Sequence, residues 1–347
     1  MTMRSASPPF WIGLDIGGAN LKAAHSLGPV CTVPFELWKR PADLPRMLGE
    51  LLAGLPLADR FGVTMTAESC DCFATKAQGV EAVLAALMSV VPEPAIRVWC
   101  TDERLHSVRT ALEKPEIAAS SNWLALATAA ARLAPKGPAL LIDVGSTTTD
   151  LIPLHDGRPV PRGRTDTQRL QTGELVYAGI MRTPICALVT ELPWREAITS
   201  LTTGLFATTL DAYLTLGELP EDQTDPFTAD HRPRTIAAAR ARLARMVGAD
   251  GDSFSPSDAE ALSRAVDAAL TARLIAHASR ACRVIGQPET VIVAGSGDFL
   301  ARRIARRIMP PHGTIIELRE AWGKQASVAA CARALVELAT RSEVIET

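Results

Sequence analysis

An apolar strand that ends in aspartate and turns on glycine occurs twice in this chain, and nothing else in the sequence limits its fold as much. The first copy is WIGLDIGGANLKAA, from Trp11 to Ala24, and the second is LLIDVGSTTTDLIPL, from Leu140 to Leu154. Laying Asp15-Ile16-Gly17-Gly18-Ala19-Asn20 on Asp143-Val144-Gly145-Ser146-Thr147-Thr148 puts Asp at each strand end, Gly two places on, and small or polar residues next. Copies roughly 130 residues apart read as a duplicated supersecondary unit and not as a solenoid period. Each turn leads into a new strand, at Leu21 and at Thr149, so each half is expected to open as strand, tight turn, strand.

The rest of the chain fills in around these openings. A chain of 347 residues has room for two ordinary domains. In the first half, strands are expected at Ile12–Asp15, Leu21–Ala24, Val30–Leu37, Phe61–Thr66 and Ile96–Thr101, with helices at Leu44–Leu52, Val80–Val91 and Trp123–Leu133. The interval PKGP, beginning at Pro135, reads as a boundary. The second half restarts with strands Ala139–Val144 and Thr149–Pro153. Helices are expected over Gly173–Gly179 and after Trp194, and the polar, proline-bearing stretch Gly217–Arg234 reads as a surface loop. Ser257 and Glu260 read as a capping box opening a helix that runs to about Val284. Thr290–Ala294 is a buried strand, and Gly295-Ser296-Gly297 leads into a helix with Leu300, Ile304 and Ile308 on one face. Lys324–Leu338 closes the chain as an Ala-rich helix. The expected fold class is α/β, in two duplicated domains. One spans 1–137, completed by a C-terminal helix in 321–347, and the other spans 138–320.

Charge and composition exclude several classes of function. The formal net charge is −2, so no global field draws the chain to nucleic acid or anionic membrane. Hydrophobic residues make up 47 % and charged residues 21 %, a globular balance, and no apolar run reaches the length of a membrane span. MTMRSASPPFW has no apolar signal core, and seven irregularly spaced cysteines fit reduced thiols, so a cytoplasmic protein is expected.

The paired turns suggest phosphate chemistry. Small residues let backbone N–H groups approach an anion closely. Asn20, Ser146, Thr147 and Thr148 add side-chain donors, and Lys22 adds a point charge. A carboxylate beneath a phosphate loop would repel the phosphate, so Asp15 and Asp143 make sense as Mg²⁺-side residues. Gly17, Gly18 and Gly145 complete the phosphate set. The third turn, Gly295-Ser296-Gly297, suits a nucleotide base or sugar contact, and equally suits plain strand-to-helix packing.

Other features carry less. Cys70-x-Cys72 forms no regular zinc spacing with His25 or His106, and both thiols read as small packing groups. Arg302, Arg303, Arg306 and Arg307 read as a solvated helix face and not as a nucleic-acid surface. Glu103, Arg104 and His106 follow a strand end without specifying a site. No Ser/His/Asp or H-E-x-x-H pattern appears.

With these residues in view, the order LDIGGANLK, LLIDVGSTTTDL, VIVAGSGDFL resembles the phosphate-1, phosphate-2 and adenosine motifs of the actin/hexokinase/Hsp70 ATPase superfamily. The resemblance implies two ribonuclease H-like domains with a nucleotide cleft between them, and IDVGSTTTDLI is most similar to the hydantoinase/oxoprolinase branch. VTMTAESCDCFATKAQGV at Val63–Val80, ASSNWLALA at Ala119–Ala127 and TGELVYAGIMRTPICAL at Thr172–Leu188 narrow it further. Together they resemble the tetrahydromethanopterin-linked one-carbon pathway proteins of methanogens and methylotrophs, over essentially the whole chain.

That resemblance implies an enzyme of methanofuran or methylofuran biosynthesis. Such an enzyme joins an aminomethyl-furanylmethyl diphosphate to the phenol oxygen of a tyrosine- or tyramine-type acceptor and releases pyrophosphate with Mg²⁺. Glu174, Asp150 and Glu68 are the candidate bases, with Lys22 beside them in the catalytic set. Arg182 is a diphosphate or carboxylate ligand, and Tyr177 lines the ring pocket. Whether ATP binds stays open, as does the oligomeric state. The competing expectations are an ATP-dependent kinase or amide hydrolase, and a non-catalytic actin-like switch. The partners expected are small molecules only, with neither nucleic acid nor membrane.

Overall fold

The computed structural model describes residues 8–346. The reading of the first seven residues as part of a signal-free terminus lies outside the described residues. Fourteen strands follow in chain order: β1 (Trp11–Ile16), β2 (Asn20–His25), β3 (Val30–Pro34), β4 (Arg60–Met65), β5 (Ile96–Trp99), β6 (Leu105–His106), β7 (Pro138–Val144), β8 (Thr149–His155), β9 (Arg158–Pro159), β10 (Leu175–Val176), β11 (Glu191–Trp194), β12 (Ala197–Ser200), β13 (Thr290–Ala294) and β14 (Thr314–Glu317). One six-stranded sheet runs β3-β2-β1-β4-β5-β6. A second runs β10-β8-β7-β13-β14, with β9 paired to β8. With β6 and β9 set aside, the strands of each sheet run third-second-first-fourth-fifth in chain order, the duplication expected from the two turns and the ribonuclease H-like plan that the resemblance implies.

The chain divides into two compact units. Unit 1 comprises Met1–Ala139, Leu154–Asp166 and Ile316–Thr347, and unit 2 comprises Leu140–Pro153 and Thr167–Ile315. The return of Leu154–Asp166 to unit 1 has no signal in the sequence.

In unit 1, β1 is antiparallel to β2 and parallel to β4. All six β1 residues are buried because both sheet faces are covered. Helices Leu44–Ala53 and Lys76–Met88 supply Met47, Leu48, Leu51, Val80, Val83, Leu84 and Leu87 to one core. The C-terminal helix Ala330–Glu346 covers the other face. Gly13 and Gly62 stand side by side in register and make a flat seat for it. A Cβ on Gly13 would lie 2.0 Å from the Ala332 carbonyl oxygen, and one on Gly62 would lie 3.5 Å from Leu335 Cβ.

In unit 2, one core gathers Leu140, Ile142, Val144, Leu151, Val291 and Val293 with Leu270, Leu274, Leu300 and Ile304. The stretch read as a polar surface loop has no helix or named strand between Thr215 and Ile236. It is anchored by Asp230, whose Oδ1 accepts from Arg242 Nη1 at 2.9 Å, while the same buried guanidinium donates from Nε to Asp211 at 2.7 Å.

Five local expectations are corrected. Gly173–Gly179 is not helical: the helix is Asp166–Thr172, Gly173 ends it at φ +83, and β10 follows. The stretch after Trp194 is the hairpin β11–β12, turning on Arg195 and Glu196, both at positive φ. The third strand stops at Pro34, and a short 3₁₀ turn, Leu37–Lys39, replaces its end. The long helix is Pro256–Ala281 and its capping box is Ser255 with Asp258, two residues earlier than Ser257 with Glu260. The last helix is broken at Ala329 into Lys324–Val328 and Ala330–Glu346. No helix among the described residues is long and apolar enough to cross a membrane.

Candidate active site

In unit 1, β1 and β4 run parallel and finish together, and the Thr66 N–H extends their ladder to the Ile16 carbonyl at 3.0 Å. Ligands of open α/β sheets bind beyond such carboxyl ends. Asp15 stands there, opposite Lys22 in the β1–β2 register. Its carboxylate is only 8 % exposed, and its Oδ1 has no hydrogen-bond partner among the described residues. Burial raises its pKa above the ordinary value, and the charge of Lys22 opposes that rise. A buried carboxylate oxygen without a donor is stabilised by a proton or a cation, so Asp15 fits a hard divalent ion.

The turn itself is closed by the Gly17 N–H donating to the Asn20 carbonyl at 3.1 Å. That amide is therefore committed to the hairpin and not to an anion. Gly18 sits against Cys70, where a Cβ would come within 2.5 Å of Sγ. Cys70 is thus a packing group, as expected, whereas Cys72 is exposed and packs nothing. His25 is buried, with Nε2 3.2 Å from the Leu57 carbonyl and Nδ1 accepting from Leu27 N–H at 3.0 Å.

Beyond β4, Glu68 is 1 % exposed. Its Oε1 accepts from Ser120 at 2.7 Å and Ser69 at 2.9 Å, and Oε2 has no partner among the described residues. Burial pushes its pKa up, against those two hydroxyls and Lys76. Lys76 Nζ donates to Ser120 at 3.2 Å and pairs with Asp166 at 2.7 Å. A Cβ on Gly79 would lie 2.4 Å from the Glu68 carbonyl oxygen. Two phrases far apart in sequence, one around Glu68 and Gly79 and the other around Ser120, therefore fold into one cluster.

Unit 2 repeats the turn: Gly145 N–H donates to the Thr148 carbonyl at 2.9 Å, the same closure as in unit 1. Asp143, Ser146, Thr147 and Thr148 are partly exposed around it. The Gly295-Ser296-Gly297 turn lies directly on this strand end. Gly297 N–H donates to the Val144 carbonyl at 2.9 Å, and a Cβ on Gly295, at φ +86, would meet Asp143 Oδ1 at 2.3 Å. Only glycine fits there.

The phrase Thr172–Leu188 wraps the other side of the same turn. Ile180 N–H donates to the Gly145 carbonyl at 3.1 Å, and Met181 and Arg182 N–H both donate to the Ser146 carbonyl at 3.0 Å. A Cβ on Gly179 would lie 2.5 Å from the Gly145 oxygen and 2.7 Å from Thr147 N. Thr183 and Thr209 hold Gly179 from behind by hydroxyl bonds to its carbonyl at 3.1 and 2.8 Å. The structure thus brings Gly145, Ser146, Thr147, Asp143, Gly295, Gly297 and Arg182 together.

Asp150 and Glu174 meet at the β8–β10 pairing, where Arg169 Nη2 donates to Asp150 Oδ1 and, at 3.3 Å, to the Glu174 carbonyl. Asp150 accepts from the buried Arg169 at 2.5 Å, so its charge is already neutralised. Glu174 follows a helix instead of opening one, and it is fully buried, with Oε2 accepting from Thr172 at 2.9 Å. Tyr177 is 63 % exposed. The arginine face is corrected in part: Arg306 and Arg307 face solvent, but Arg303 pairs with Asp267 at 2.8 Å. Arg169, Ser120, Thr183 and Thr209 went unsuspected in the sequence, because only tertiary contacts give them partners.

A family model described as hydantoinase/oxoprolinase matches residues 60–337. The chain is 28 % identical over 330 residues to a Methanocaldococcus jannaschii protein named (4-{4-[2-(gamma-L-glutamylamino)ethyl]phenoxymethyl}furan-2-yl)methanamine synthase, covering 94 % of this chain and 96 % of that one. A protein of the same name from Methanococcus vannielii is 27 % identical over 190 residues, 55 % of this chain and 85 % of that one. Among solved structures, the inorganic polyphosphate/ATP-glucomannokinase from Arthrobacter sp. strain KM aligns at TM-score 0.44 and 16 % identity, covering 96 % of this chain and all of that one.

Proposed function

The chain belongs to the hydantoinase/oxoprolinase family, and we propose that within it the protein is a furan-ether synthase of methanofuran or methylofuran biosynthesis. The observation that carries this reading is the end-to-end similarity to a phenoxymethyl-furan methanamine synthase. That name describes a phenol oxygen joined to a furan methylene, the bond that the proposed reaction makes.

In the proposed reaction, the bond between the furan methylene carbon and its diphosphate oxygen breaks, and the electron pair leaves with pyrophosphate. The phenol oxygen forms the new bond to that carbon, and its proton goes to a carboxylate. The furan ring spreads positive charge from the methylene carbon, so the protein must mainly stabilise the leaving group and align the phenol. In unit 1, Asn20 and Lys22, on a turn shaped by Gly17 and Gly18, are proposed to meet phosphate oxygens; in unit 2, Ser146, Thr147, Thr148 and Arg182, with Gly145 shaping the turn, are proposed for the same role. Asp15 in unit 1 and Asp143 in unit 2 are each proposed as a magnesium ligand, and magnesium when bound would neutralise charge on the departing pyrophosphate.

Glu68 is our choice of proton acceptor. Its burial raises its basicity and one oxygen lacks a partner among the described residues, whereas Arg169 engages Asp150 and Thr172 donates to Glu174. Raising a carboxylate's pKa moves it toward the working pH, where a general base is more efficient.

ATP use is the second reading, favoured by the close seating of Gly295 and Gly297 on Asp143 and Val144. The test supplies purified protein and Mg²⁺ with aminomethyl-furanylmethyl diphosphate and a tyramine-type phenol. Pyrophosphate should appear only when both substrates are present, and Glu68→Gln should slow turnover at saturation about 10²-fold. ADP released from ATP with an amide or sugar, and no ether product, would overturn the reading.

A further inference from the structure

The turn joining β5 to β6 gathers three donors of different chemistry. Cys100 Sγ, a carboxylate oxygen of Asp102 and a ring nitrogen of His106 all lie within 4.8 Å of one another. We propose that these three side chains form a zinc-class metal site in unit 1, distinct from the carboxylates assigned to magnesium.

The backbone of this turn is held before any ion arrives. Cys100 N–H donates to the Arg104 carbonyl and Glu103 N–H to the Cys100 carbonyl, both at 3.0 Å, with Glu103 at φ +64. Thr101 N–H donates to the Ile117 carbonyl at 2.8 Å. Arg164 clamps the turn from outside, donating to the Thr101 carbonyl at 3.0 Å and to Glu103 Oε1 at 2.8 Å. A turn fixed by these contacts keeps positions 100, 102 and 106 converged without a metal.

The donor set selects the ion. Thiolate, imidazole and carboxylate together suit a borderline-soft cation, and the sulfur disfavours Mg²⁺ and Ca²⁺. Tetrahedral zinc places its donors roughly 3.5 Å apart, so closure needs side-chain rotation and no backbone movement. Cys100 is buried at the base of the site, at the edge of the unit 1 core, and its S–H donates to the Val98 carbonyl at 3.7 Å. The side chains of Asp102 and His106 keep 39 % and 22 % of their exposure, so an ion can enter from solvent. His106 Nε2 and Asp102 Oδ2 are 2.8 Å apart, and a cation would replace the proton they share. Burial, and then the nearby Asp102 charge, push the Cys100 thiol up to about 12, so metal binding must release that thiol proton to solvent. Three protein ligands leave a fourth position for water.

The test uses the full chain, stripped with chelator and titrated with Co²⁺. A thiolate-to-cobalt charge-transfer band should grow to one equivalent and be bleached by Zn²⁺ but not by Mg²⁺. Cys100→Ser should abolish the band. Because Cys100 is buried, Asp102→Asn and His106→Asn provide a second measurement on the exposed side, and each should weaken Co²⁺ binding at least about 10-fold. Cys70→Ser with Cys72→Ser should leave the band intact. A folded wild-type protein with no band overturns the site, as does a band that survives Cys100→Ser or one unaffected by both exposed-side variants. The result does not depend on which reaction the protein catalyses.

Discussion

Asp15 carries a stability cost that its proposed role in holding magnesium would explain. Its carboxylate is buried opposite Lys22, and one oxygen has no donor among the described residues. Burial, only partly offset by Lys22, holds its folded pKa above the ordinary 3.8. The folded chain therefore keeps this proton to higher pH than the unfolded chain does. The associated stability is full below about pH 3.8 and is lost as pH rises toward the folded pKa. Glu68 contributes with the same sign. Asp15→Asn should accordingly flatten the fall of the denaturant midpoint with rising pH and be more stable than wild type at pH 7, while losing transferase activity. Identical pH slopes in the two proteins would remove Asp15 as a strained acid. The Asp residues and their glycine turns were legible in sequence because their spacing repeats. Arg169 was not, since a lone arginine shows nothing of the Asp150 it will neutralise.

Elements were readable where local chemistry and packing agree. Both Asp-x-Gly turns close by the same Gly N–H bond to the carbonyl three residues on, as the repeated spacing implies. Gly173–Gly179 was misread as helix because Leu175 and Val176 form an apolar pair too short to fix a period. The residues that follow it, Ile180–Arg182, bond to the Gly145–Ser146 backbone. The hairpin at Arg195–Glu196 carries no Asn-Gly or Asp-Gly signal, so nothing local announced it. The long helix was read as capped by Ser257 with Glu260, but Pro256 occupies its first position and Ser255 with Asp258 forms the cap. Ser255→Ala should cost about 1 kcal/mol in chemical denaturation, while Glu260→Ala, which loses only an exposed pair with Arg264, should cost far less. Equal costs would return the cap to Ser257.

For the whole molecule, unit 1 is assembled from three separate stretches of chain. The last of them brings Ala332 and Leu335 over Gly13 and Gly62. Without that helix, one face of β1 and β4 would be bare to water, and a one-sided buried sheet loses much of its hydrophobic stabilisation. A chain ending at Ile315 should therefore lose the cooperative unfolding transition of unit 1 and bind a hydrophobic dye such as ANS. Retention of both wild-type behaviours would show that unit 1 does not need the helix.

By itself the sequence determined the duplicated α/β plan, the two Asp-x-Gly turns and the family, because these rest on residues adjacent in the chain. Apolar periodicity, a glycine two places after an aspartate and a run of threonines act over a few residues and survive in any context. Tertiary structure alone decided which carboxylate is neutralised by Arg169, which accepts from Thr172 and which keeps an oxygen without a partner among the described residues. It also decided that Thr172–Leu188 braces a turn and that Cys100, Asp102 and His106 converge. These outcomes depend on burial and on partners far along the chain, and a side chain's charge and reach are set by what the fold packs against it.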